Sequence, residues 1–149
     1  MSWKKLDNQL FNLLNDNKTS LDIYDVQDKP STDFDGFPSI TITPANYPNE
    51  YNTNVENQRI FTFDVRIFYE TENTGVGTAK DNLLNVADGV MDLLDREVHA
   101  DDRTIGVDLD SKYVFIDIEP VPGNFYTMSQ EHMVFLELTV KIKLSVNLV

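Results

Sequence analysis

From Arg59 to Glu70 apolar and polar residues alternate. Phe61, Phe63, Val65, Ile67 and Tyr69 fall on one face. Thr62, Asp64, Arg66 and Glu70 fall on the other, where Ile60 and Phe68 interrupt the polar row. A period of two predicts a half-buried strand. After a glycine-containing turn at Thr74–Gly77 the period lengthens. Leu83, Ala87, Val90 and Leu94 form one stripe, with Leu84 and Met91 beside it and Asp81, Asn85, Asp88, Asp92 and Asp95 opposite. This predicts a helix from Ala79 to Glu97, with Thr78 as its N-cap and Asp81 in its first turn, facing the helix dipole. A strand and a helix with one greasy face each, joined by a short loop, should pack together.

The rest of the chain covers or extends that pair. Trp3, Leu6, Leu10, Leu13 and Leu14 share one face of a first helix spanning Trp3–Asn15. Leu21–Val26 reads as a weak strand and Asp35-Gly36 as a turn. Ser39–Thr43 is a short strand between Pro38 and Pro44, with Ile40 and Ile42 pointing one way. Lys112–Glu119 reads as a strand with Val114, Ile116 and Ile118 on one face and Tyr113 and Phe115 on the other. Pro120–Gly123 is expected to end it, leaving Phe125, Tyr126 and Met128 in a loop. From Val134 to Val146 the even positions are all apolar, and Glu137, Thr139, Lys141, Lys143 and Ser145 alternate with them. Thirteen residues at ~3.3 Å each span about 40 Å, long enough for one end to meet a neighbour. Short links and this element order predict a single α+β domain over residues 1–149: a mainly antiparallel sheet of four to five strands packed with two helices.

Two segments stand apart. Ala45–Gln58 holds five asparagines, Pro48, and only Tyr47, Tyr51 and Val55 as sizeable apolar groups. It reads as a polar arm, either a hairpin tip or a segment ordered by a neighbouring molecule through its tyrosines. Residues 99–112 read as an acidic loop.

Charge narrows the function. Twelve bases against 25 acids give a net charge of −13. The bases are scattered and form no patch, so the chain lacks what binding to a phosphate backbone requires. No cysteine is present, which removes disulfides, thiol chemistry and cysteine-bound zinc. No apolar run is long enough to span a bilayer, and the N-terminus has no signal-peptide pattern.

Catalytic signatures are missing too. Gly75-Val-Gly77-Thr-Ala-Lys80 superficially resembles a phosphate loop, but Ala79 precedes the lysine and Asp81 follows it. His99, Asp101 and Asp102 with help from Asp108 or Asp110 could hold a divalent ion, but Asp108–Lys112 lacks the glycine and terminal glutamate of an EF-hand. His132 begins the last strand, and no nucleophile elbow is present. No catalytic, metal or cofactor site is expected. Gly89 sits on the polar side of the second helix, where it either is tolerated drift or admits a close neighbour.

One family has this order of elements. Pro38-Ser-Ile-Thr-Ile-Thr-Pro44, a polar arm, Asn57-Gln-Arg-Ile-Phe-Thr-Phe-Asp-Val-Arg-Ile-Phe68, an amphipathic helix ending Met91-Asp-Leu-Leu-Asp-Arg96, and two further strands together resemble tail terminator (tail completion) proteins of long-tailed bacteriophages. The resemblance covers most of the chain. It implies a non-enzymatic virion subunit, made in the host cytoplasm, that closes into a six-membered ring at the head-proximal end of the tail. Such a ring stops tube polymerisation and contacts the tail tube protein and a head completion or connector protein. Tyr47, Tyr51, Arg59, Arg66, Phe125, Tyr126 and Met128 are then candidate subunit or partner contacts, and Arg59 and Arg66 have intrachain acids as alternative partners. Asp101, Asp102, Asp108 and Asp110 are candidate channel-lining acids, past which DNA would move without sticking. The alternatives are another connector or tail tube subunit, an acidic cytosolic adaptor or immunity-type protein, and an enzyme with an unrecognised site.

Overall fold

Two long strands form the middle of the sheet. β3 (Gln58–Glu70) and β5 (Met133–Val146) run antiparallel, in register from Gln58↔Ser145 to Glu70↔Met133. The structure, a computed structural model, describes residues 2–45 and 58–146. Around the central pair lie α1 (Ser2–Asp16), β1 (Asp25–Gln27), β2 (Ser39–Pro44), α2 (Val76–His99) and β4 (Tyr113–Met128). The strand order is β1-β2-β3-β5-β4. β1 pairs with β2 in parallel and every other pairing is antiparallel. This is the expected α+β domain, with five strands and two helices.

Both helices lie on one face. The period-two positions Ile40, Ile42, Phe61, Phe63, Val65 and Ile67, and the even positions of β5 from Val134 to Leu144, meet Leu6, Leu10, Leu13 and Leu14 of α1 and Leu83, Val90 and Leu94 of α2 in one core. Trp3 meets Phe61 and Phe63 edge-on, at ring-centroid distances of 5.0 and 5.3 Å. Such aromatic geometry is worth ~0.5–1.5 kcal/mol per pair beyond the area buried.

Three boundaries differ from the sequence expectation. α2 begins at Val76 after Gly75, with no side-chain cap, so Thr78 lies inside the helix and Asp81 falls beyond its first turn. The turn before the helix is held instead by Glu70, which accepts from Asn73 N (2.9 Å), and by Thr74 Oγ1, which donates to Glu70 O (2.6 Å). Beside the stripe, Leu84 is exposed and Val86 takes the buried position. The weak strand at Leu21–Val26 shrinks to Asp25–Gln27. Leu21 N and Ile23 N are committed to Asn17 O and Lys18 O in a turn at the end of α1. Gly89 faces the chain's own Leu21: a Cβ there would come within 3.1 Å of Leu21 Cδ2.

The third correction is the largest. β4 does not stop at Glu119; it continues through Pro120, Pro122 and Gly123 to Met128, paired with β5 throughout. Phe125, Tyr126 and Met128 are strand residues, not loop residues. Two register shifts, at Phe115/Asp117 and Pro122/Phe125, accommodate the irregular stretch. The first shift also changes the face reading. Tyr113 and Phe115 pack toward the core, Val114 is 62% exposed, and after the bulged Ile116 it is Ile118 that turns inward.

Residues 100–112 form a pinned loop. Glu97, at the end of the helix predicted above, is buried; its Oε1 accepts from Thr104 N and from Ile105 N (2.8 Å). Gln9 of α1 grips the same loop with both ends of its amide: Nε2 donates to Val107 O (2.8 Å) and Oε1 accepts from Gly106 N (2.9 Å). Ile105 is fully buried, and Arg103 lies over the Phe115 ring at 4.0 Å. Gly106 has φ +79 and a Cβ there would collide with Phe115, so only glycine fits both the backbone and the space.

Glu97→Ala is expected to lower stability by about 2–4 kcal/mol in urea denaturation, because two largely buried N–H groups lose their acceptor. Glu97→Gln keeps an acceptor oxygen and should recover more than half of that loss.

Candidate assembly surface

With both helices on one side, the opposite face of the sheet is built from the alternate positions. It has two zones. At the β4–β5 hairpin end, Phe34 from the 28–38 loop, Phe68, Phe135 and Tyr126 form a row of rings. Successive centroids lie 4.8, 5.0 and 4.7 Å apart. Phe68 and Phe135 face each other across β3 and β5, as do Phe135 and Tyr126 across β5 and β4. Phe68 is buried under Phe34, whereas Tyr126 is 39% exposed at the sheet edge.

Toward the other end the face is charged. Arg66 Nε donates to Glu137 Oε2 at 2.9 Å from directly across the ladder, and its guanidinium lies 5.5 Å from the Phe135 ring centre. Lys143 Nζ reaches Glu119 Oε2 at 2.7 Å, and that hydrogen bond and charge hold the Glu119 carboxyl below its usual range. Asp64 lies beside the Arg66–Glu137 pair. Partial burial, then the Glu137 carboxylate, push its pKa up against the opposing pull of Arg66. On the helical side, Asp7 Oδ1 is buried without a hydrogen-bond partner among the described residues, and burial followed by the Asp28 charge raises that carboxyl too.

The candidate contacts separate. Arg66 and Tyr126 lie on the open face, both next to Phe135. Phe125 points to the core side and packs against the core. Met128 closes the pairing of β4 at Met133. Arg59 is at the far end of β3, where its Nη1 donates to Tyr113 OH at 2.7 Å. Tyr47 and Tyr51 lie outside the described residues. The four candidate acids Asp101, Asp102, Asp108 and Asp110 are all exposed, and the Asp108 carbonyl accepts from Lys5 Nζ. Among the described residues no group of His, Asp and Glu is placed to hold a metal, and no helix is long and apolar enough to cross a membrane.

Sequence reasoning missed the ring row and Glu137 as parts of one surface. The signal was there: Phe68 and Phe135 both interrupt polar rows, and only the β3–β5 register shows that they are neighbours.

No protein-family model matches the chain, and no curated protein matches it. Among solved structures it is similar to a chain in the virion of a native gene transfer agent particle. The TM-score is 0.57 at 14% identity, and the match covers 94% of each chain. The two share a fold across nearly their whole lengths.

Asp64→Asn and Asp7→Asn should each raise the melting temperature at pH 7. A carboxyl whose folded pKa is raised favours the folded state fully below its unfolded pKa, and that contribution is lost as pH rises through the folded value. The gain from either substitution should therefore shrink as pH falls into the ordinary carboxylate range, as melting curves between pH 7 and pH 4 would show.

Proposed function

We propose that this chain is a non-enzymatic structural subunit of a phage-like virion: a tail terminator that closes as a ring, six-membered by resemblance, on the end of the tail tube. The observation that carries the reading is the fold shared with a gene transfer agent virion chain over 94% of both chains. The order of elements in the sequence points the same way. The open face supplies what a ring subunit needs, a surface outside its own core that meets a neighbour. Arg66, Tyr126 and the ring row are its anchors, since aromatic and arginine side chains dominate such contacts. Tail tube and head completion or connector proteins are the partners in this reading, and DNA is a passenger.

The acidic loop fits that role. Asp101, Asp102, Asp108 and Asp110 sit on a loop clamped by Gln9 and Glu97, so their charges are held in place. Lining a channel, they would repel DNA and let it slide.

Native mass spectrometry with negative-stain imaging tests the ring. Six copies carry roughly −78 charges, six times −13, and raised salt should ease their repulsion. Closed single rings are the expected result, free in solution or on added tail tubes. Long tubes would instead identify a tube subunit, and a monomer that ignores tail tubes would overturn the reading. Replacing the four loop acids by Asn should slow DNA ejection and leave ring closure intact; unchanged ejection would remove the channel assignment. Asn tolerates the positive φ of 52° at Asp108.

A further inference from the structure

Residues 46–57 join β2 to β3 at one end of the sheet, and a polar pocket opens at the other end. β2 stops at Pro44, Ala45 N bonds to Thr62 O, and β3 starts at Gln58. The twelve residues between hold five asparagines, with Tyr47, Tyr51 and Val55 as their large apolar groups. The pocket, of ≈ 440 Å³, lies between α2 and the turn after α1. Pro38, just before β2, and Tyr69, near the end of β3, line it and fix its place in the sheet.

Leu21, Val86 and Gly89 supply the apolar part of the lining. A Cβ on Gly89 would crowd Leu21 Cδ2 at 3.1 Å, so no side chain fills the pocket from that side. Asn82 and Asn85 line it from α2. Their amides and the Tyr69 hydroxyl have no hydrogen-bond partner among the described residues. Asp22 is the one charged group among the described lining residues, and no base lines the pocket. Each amide both donates and accepts. The unmet chemistry is therefore neutral: paired donors and acceptors beside a small apolar surface, suited to an amide-rich segment and not to a phosphate or a run of like charges.

We propose that this pocket receives the 46–57 arm of a second copy of the chain. The proposal deepens the ring reading and rests on it for the head-to-tail arrangement. An arm is too short to serve its own pocket. Tyr69 is eleven residues along β3 from Gln58, and Pro38 is seven residues before Ala45. At ~3.3 Å per residue these are about 36 and 23 Å. A path from Ala45 to the pocket and back to Gln58 needs about 59 Å, whereas thirteen residues fully extended span at most ~47 Å. The occupant must then come from a neighbour. Arm and pocket sit at opposite ends of one subunit, so each copy gives at one end and receives at the other. Repeated contacts of that kind close into a ring where the rotation allows.

The test uses the intact chain and an end-capped, labelled peptide of residues 45–58, read by fluorescence anisotropy. Saturable binding is expected. It should not weaken as salt rises, because the peptide carries Glu50 and Glu56 and the chain is strongly acidic. Aspartate in place of the five peptide asparagines, or serine in place of both tyrosines, should abolish it. In the chain, Asn82→Ala together with Asn85→Ala should weaken binding about ten-fold. Asn12→Ala removes an exposed amide of α1 and should leave binding unchanged. The chain has no cysteine, so disulfides give a second readout. Under mild oxidation, Asn52→Cys chains mixed with Asn85→Cys chains should cross-link faster than with Asp95→Cys chains, whose thiol is about 15 Å further along α2. No peptide binding, equal binding of the aspartate peptide, or equal cross-linking of the two pairs would each overturn the assignment. Binding of neutral disaccharides in place of the peptide would overturn it in favour of a polyol site. Native mass reads ring closure separately. Rings without peptide binding would remove the arm assignment and leave the ring, and peptide binding by a chain that never closes a ring would remove the ring and keep the pairing of copies.

Discussion

The sheet can be covered by helices on only one side, and the rest of the molecule follows from that. β3 and β5 pair along the whole of β3, so their alternating residues are sorted into two faces with no exchange. The inner set is aliphatic and aromatic and takes both helices. The outer set mixes an aromatic row with interleaved charges. A one-residue slip would move the entire apolar set to the wrong side, and the register is thereby fixed. The outer face is what remains for contact with other molecules.

Much of this was legible in the residues. The strand at Phe61–Tyr69, the α1 stripe from Trp3 to Leu14 and the even positions of β5 each repeat often enough to show their period. Ser39–Thr43 was readable because two prolines bracket it. Failures occurred where a longer-range partner overrode a local signal. Prolines at 120 and 122 read as a strand end, yet an edge strand accepts proline on its outward side, and nothing local says that β4 is an edge. The bulge at Ile116 reversed the apparent face of Val114. The burial of Glu97 had no sequence signal, because its partners, Thr104 N and Ile105 N, belong to a loop with no sequence pattern of its own.

The surface was legible only in pieces. Arg66 and Tyr126 were picked out singly; their shared neighbour Phe135 and the pairing of Arg66 with Glu137 depend on strand order. Arg59 went the other way. It lies apart from that surface at the far end of β3, with its Nη1 bonded to Tyr113 OH. The acids of the 100–112 loop gained a different meaning. They do not fray from a helix end. They ride on a loop buttressed by α1, α2 and the ring of Phe115.

Gln9 has a consequence for the order in which the molecule is made. Its amide bridges to Gly106 and Val107, 97 and 98 residues downstream. α1 leaves the ribosome well before the groups that finish its polar side, which follow only after β1, β2, β3 and the whole of α2. The core face of α1 likewise waits for β2 and β3. Non-local closures of this kind are entropically costly before they are rewarded. The polar side of α1 is therefore completed only once α2 and the loop after it are in place.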